Sequence, residues 1–159
     1  MTVARDGAVA TVILPGPALS LAVKESLLES LRAVAADDAV RAVVLSGTGR
    51  AFCVGQDLAE HAGALDRDAA TALDTVQEHY NPIVTTLTTM PKPVVAGVNG
   101  TCVGAGLGFV LACDFAVVAD RHARAGPAVA VVDQRDAERP GGGVGRHHRL
   151  DGTGLSDRL

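Results

Sequence analysis

The sequence predicts an α/β fold built on a mostly parallel sheet, and two observations lead there. The runs "VRAVVLSG" (40–47) and "PKPVVAGV" (91–98) read as strands apolar on both faces, as strands covered on each side must be. Segments of helical periodicity lie between such runs, so strand and helix alternate along the chain. The 159 residues suit one domain.

The elements follow in order. "TVARDGAVATVIL" reads as a hairpin turning at Asp6-Gly7, a type I′ signal, and "PGPALS" breaks the strand. A helix comes next: Leu27, Leu28, Leu31 and Val34 recur at helical spacing, with Lys24, Glu25, Glu29 and Arg32 off that face. After the strand at 40–47, "GTGRAFCVGQDL" is a loop holding a short strand. A second helix is expected from about Asp68 to Thr88, with Leu73, Val76, Tyr80, Val84 and Leu87 on one stripe and Pro82 kinking or dividing it. The strand at 91–98 runs into glycines, "GAGLGFVLAC" opens a helix, and "DFAVVAD" is a strand again.

Beyond about Arg121 the character changes. Residues 122–159 contain no Ile, Phe, Tyr, Met, Cys or Trp, and their apolar residues follow neither strand nor helix period. The segment reads as a poorly structured Arg/Gly-rich tail, with the ordered core on 1–121.

Composition narrows the function classes. Net charge is −4, and no basic stripe argues for nucleic acid. No apolar run reaches the roughly 18 residues of a membrane span, and the N-terminus lacks a secretory pattern, so the expected location is cytoplasmic. Cys53, Cys102 and Cys113 form neither a C-x-x-C pair nor a zinc-like spacing with His, which leaves free thiols and no metal.

The stretch "VNGTCVGAGLGFVLACDFAV" (98–117) crowds Gly100, Gly104, Gly106 and Gly108 into an apolar segment. Glycine weakens a helix or strand interior by roughly 0.5–1 kcal/mol relative to alanine, so something needs the bare backbone. A dinucleotide fingerprint would need G-x-G-x-x-G, and G-A-G-L-G is not that. The loop "SGTGRAFCVGQDL" (46–58) also follows a buried strand and also carries a glycine before a helix-prone segment. Two such turns on neighbouring strands could aim two main-chain N–H groups at one oxyanion; they could equally be two ordinary strand-to-helix turns.

"GRAFCVGQDL" and "PKPVVAGVNGTCVGAGLGFVLACDFAVVAD" together closely resemble the enoyl-CoA hydratase/isomerase, or crotonase, family, over about residues 1–121. The resemblance implies a crotonase-like spiral of ββα units, incomplete at the C-terminus, and an acyl-CoA thioester substrate with no cofactor beyond the coenzyme A it carries. It implies a thioester oxygen held by the backbone N–H groups of Gln56 and Ala105. Gly104 then allows close approach, and Val54, Gln56, Asp57 and Leu58 contact the ligand along the first loop; Asp57 also reads as a plain helix N-cap.

The family's hydratases carry one glutamate three residues past the middle of the glycine triple, where this chain has Gly108, and a second about twenty residues on, where it has Ala128. Some isomerases use a later aspartate, and the same count reaches the neighbourhood of Asp136, but the apolar sequence expected around it is absent and Asp136 reads as coincidence. The alternatives to an active enzyme are an inactive remnant or a non-catalytic partner of a full-length relative. Exposed strand edges and apolar faces imply self-association or pairing with a longer family member.

Overall fold

The computed structural model describes residues 1–68, 70–119, 129–133 and 148–150. A seven-stranded sheet forms its centre. The chain enters it through an antiparallel hairpin, β1 (Thr2–Asp6) and β2 (Val9–Leu14). β4 (Ala42–Gly47), β7 (Val94–Val98) and β9 (Phe115–Ala119) then add in parallel, β2 to β4 to β7 to β9. β10 (Val129–Asp133) and β11 (His148–Leu150) continue it antiparallel. Two small parallel pairs lie outside this sheet: β3 (Ala18–Leu19) with β6 (Gly55–Gln56), and β5 (Ala51–Cys53) with β8 (Thr101–Cys102). The second pair is what brings the two glycine-bearing segments side by side.

The helices are α1 (Leu21–Ala36), α2 (Leu58–Arg67), α3 (Asn81–Thr89) and α4 (Ala105–Ala112), with a π-helical turn at Val76–Tyr80 feeding α3. Ser20 caps α1 by accepting a hydrogen bond from the Val23 N–H. Leu27 and Leu31 of α1, Ile83 and Leu87 of α3 and Phe109 of α4 bury against Val12, Leu14, Val43, Leu45, Val94 and Ala96 of the sheet.

Four features depart from the sequence reading. The hairpin loop is Gly7–Ala8, since Asp6 already pairs with Val9. Only Gly7 has positive φ, the pattern of a type II′ turn; a type I′ turn would force Ala8 into a region costly for a residue with a Cβ. Lys24 is not off the apolar face of α1: it is buried on it, one turn before Leu27. The strands are not equally covered on both faces, because Val43, Leu45, Val94, Ala96 and Val98 are buried while Val44, Val95 and Gly97 between them are half-buried.

The helix expected over 68–88, kinked or divided at Pro82, departs as well, since helical turns resume only near Val76 after α2 ends at Arg67. The Asp68 carboxylate takes the Ala70 N–H, a local bond that competes with helix continuation. Pro82 falls in the first turn of α3, where its missing N–H does no harm. Leu73 and Val76 are therefore not on a buried stripe but largely exposed beside a cavity. Within 122–159, the segment read as a poorly structured tail, Val129–Asp133 and His148–Leu150 are strands; the rest lies outside the described residues.

Candidate functional site

The two glycine segments meet backbone to backbone. Gly55 has φ +90° and Gly104 has φ +58°, conformations that favour glycine. A Cβ on Gly55 would stand 3.2 Å from the Ala105 nitrogen and 3.5 Å from the Gly104 Cα. One on Gly104 would stand 3.6 Å from the Gly55 Cα. A Cβ on Gly106 would meet Cys53 at 2.6 Å, so α4 presses directly on β5. The Val103 N–H donates to the Cys53 carbonyl at 3.0 Å and ties the segments together.

Asn99 fixes the rest of this junction. Its Oδ1 accepts from the Gly47 N–H at 3.1 Å, and its Nδ2 donates to the carbonyls of Gly49 and Ala51 at 3.0 and 3.2 Å. One side chain at the end of β7 thus holds the loop leaving β4. Ala105 opens α4, so the helix itself offers its N–H no acceptor.

A cavity of about 740 Å³ opens beside this junction. Val54, Gln56, Leu58, Gly104, Ala105 and Gly108 all line it, with the rings of Tyr80 and Phe109 forming more of its wall. A Cβ on Gly108 would meet nothing within 4 Å, so that position faces open space. No carboxylate lines this cavity among the described residues. A second cavity of about 760 Å³ shares Gln56, His61 and Thr75 with the first and is walled instead by polar side chains, including Lys24, Glu60, Arg67 and His79.

The wall between them is a hydrogen-bonded cluster. The Lys24 ammonium, 2% exposed, donates to Thr75 Oγ1 at 2.6 Å and to Gln56 Oε1 at 3.3 Å. It also lies 5.1 Å from the centre of the Tyr80 ring, within cation–π range. The Tyr80 hydroxyl donates to the same Gln56 oxygen. Thr75 Oγ1 is 3.2 Å from His79 Nδ1. Burial lowers the Lys24 pKa below its usual value, against the attraction of Glu60 and Glu25. Burial raises the Tyr80 hydroxyl to about 12, helped by Cys53 and Glu60.

Of the residues that the sequence singled out, Val54, Gln56, Leu58, Gly104 and Ala105 come together at one cavity. Asp57 caps α2, the plain N-cap reading, its Oδ1 accepting from the N–H groups of Ala59 and Glu60. Ala128 and Asp136 lie outside the described residues. Sequence reasoning missed Lys24, Thr75 and Tyr80 as site residues. The signal for Lys24 was present, because it sits three residues before Leu27 and seven before Leu31, on the buried stripe. Its charge disguised it.

Comparison with known proteins accords with this geometry. The family model for enoyl-CoA hydratase/isomerase matches residues 4–130. A structure from Mycobacterium abscessus assigned as an enoyl-CoA hydratase/isomerase is 49% identical with a TM-score of 0.68, over 72% of this chain and 47% of that one. One from Streptomyces coelicolor A3(2) assigned as an enoyl-CoA hydratase is 38% identical with a TM-score of 0.66, over 74% of this chain and 44% of that one. The 4-chlorobenzoyl coenzyme A dehalogenase-1 of an Arthrobacter species is 46% identical over 43 residues, 27% of this chain and 16% of that protein. The chain thus spans about half the length of these solved structures, with the crotonase-like fold the sequence implied. With a family match over most of its length and two glycine segments locked together at the family's motifs, the chain belongs to the enoyl-CoA hydratase/isomerase family.

Proposed function

We propose that this chain binds a coenzyme A thioester and polarises its carbonyl between the main-chain N–H groups of Gln56 and Ala105. The observation that carries this reading is the approach of Gly55 to Ala105: a single Cβ there would sit 3.2 Å from the Ala105 nitrogen. Bare backbone at Gly55 lets the segment that carries Gln56 lie directly against the first residue of α4. Each main-chain donor is worth roughly 10²–10³ in rate where it meets developing negative charge. The apolar cavity, walled also by Leu73, Val84 and Phe109, suits an acyl chain. In this reading Val54, Gln56, Asp57 and Leu58 run along the coenzyme, and one matched relative is named for a coenzyme A thioester.

The chemistry that follows polarisation is set by what the cavity lacks. Hydration of an enoyl thioester needs carboxylates to move protons, each typically worth 10²–10⁴. At the position of the first, Gly108 offers only space. This favours a second reading for the chain by itself: a thioester-binding remnant, or a non-catalytic partner of a longer relative, that holds and polarises without turning over. Titration calorimetry of the 159-residue chain with butyryl-CoA tests the common ground of both. Saturable binding supports it; no heat at millimolar ligand sinks it.

A further inference from the structure

The Gln56 side chain is held in one orientation by chemistry alone. An ammonium has only donors to offer, so the atom of the Gln56 carboxamide that faces Lys24 must be its oxygen. The Tyr80 hydroxyl reaches the same oxygen. The amide is therefore fixed with Oε1 doubly engaged and Nε2 on the other side. Among the described residues Nε2 has no hydrogen-bond partner, and none of their buried side-chain polar atoms lacks one. Nε2 is thus reachable, on a residue that lines both cavities.

We propose that the Gln56 carboxamide, locked by Lys24 and Tyr80, is a third donor to the ligand and selects thioesters whose acyl chain carries a hydrogen-bond acceptor close to the thioester carbonyl. The inference rests on the thioester-binding reading above and narrows it to a substrate class. The carboxamide belongs to the residue whose main-chain N–H would hold the thioester oxygen, so its short reach places the acceptor on the proximal part of the acyl chain. Lys24 and Tyr80 are positioning residues. A buried cation is costly unless hydrogen-bonded, and here the bonds it makes fix the carboxamide of a residue that lines both cavities. The Tyr80 hydroxyl is protonated at physiological pH even at its ordinary value of 10.0, and burial pushes it further up, so it remains a donor to Oε1.

The test compares acetoacetyl-CoA, which has a second carbonyl, with butyryl-CoA of the same chain length, by titration calorimetry on the full chain. Coenzyme A alone is the third ligand. The expected result is tighter binding of acetoacetyl-CoA by about fivefold to tenfold, the worth of one satisfied hydrogen bond. The ratio of the two affinities should fall toward one in Gln56→Met and in Lys24→Met, and partway in Tyr80→Phe. A merely structural role for Lys24 would weaken both thioesters alike and leave the ratio standing, which overturns the proposal. Gln56→Met, at a half-buried position, keeps the question open to refutation should Lys24→Met not fold. Equal binding of both thioesters to the unmodified chain overturns the selectivity and leaves the thioester reading intact. Failure of all three ligands to bind overturns both.

Discussion

Gly106 and Cys53 are in contact so close that no side chain fits between them: a Cβ on Gly106 would lie 2.6 Å from the Cys53 Cβ and 2.6 Å from its carbonyl oxygen. Two turns of sequence logic end at this point. Gly106 must be bare for α4 to press on β5, whereas Gly108, two residues on, faces open space. Gly106→Ala should therefore destabilise the chain by about 1–3 kcal/mol through overpacking. Gly108→Ala should be neutral or stabilise by about 0.5–1 kcal/mol, since alanine is the better helix former. Thermal melts of the two variants separate them, and equal effects would contradict the packing described.

Much of this junction was legible in the sequence, and the reasons are local. Glycine-dense loops after apolar strands announce backbone approach, and the family resemblance then singled out Gln56, Gly104 and Ala105 within them. The parallel core strands were legible from their valine runs. Lys24 was not, because a charged side chain on a helix ordinarily faces water, and only tertiary contacts with Gln56, Thr75 and Tyr80 reverse that here. The break at Asp68 was missed because a side-chain bond to the Ala70 N–H outweighed the apolar period that followed.

Stability should fall steeply at high pH. Burial, reinforced by Asp114, pushes the Cys113 thiol up to about 12, and burial does the same to Tyr80, to about 12. Cys53 and Cys102 move in the same direction, again chiefly by burial. The fold thus favours their protonated forms. The stability this gives is intact below the ordinary thiol value of 9.0 and is lost as pH climbs toward about 12. Lys24 acts oppositely: its lowered pKa means the fold gains as the ammonium deprotonates, a gain complete by its ordinary 10.5. Between 10.5 and about 12 only the loss remains. The melting temperature should drop across that window; a level profile would count against the burial of these groups.

Hydratase turnover on crotonyl-CoA should be at most a trace, because Gly108 supplies no carboxylate and none lines the cavity among the described residues. Gly108→Glu places its Cβ in open space, with nothing within 4 Å. We expect it not to restore hydration, since the count that puts the first carboxylate at 108 puts Ala128, which carries none, at the second. Turnover by the unmodified chain within about tenfold of an ordinary family hydratase would refute this.

Association should accompany the exposed apolar face of α4. Leu107 and Leu111, one turn apart, are 49% and 59% exposed, and Val103 beside them is 50% exposed. Sedimentation at micromolar concentration should show species larger than a monomer, and Leu107→Glu with Leu111→Glu should shift them toward monomer. A sharp monomer at all concentrations, before any substitution, would mean that this face needs no partner.

The central claim is that Gln56 and Ala105 together hold and polarise a thioester oxygen. Butyryl-CoA labelled with ¹³C at the thioester carbonyl reports that directly, through the carbonyl stretch in the difference infrared spectrum of the bound and free ligand. Two main-chain donors on one oxygen lower the stretch, and the account predicts a bound band shifted to lower frequency than that of the thioester in water. A bound ligand whose carbonyl band stays at its aqueous position would contradict it.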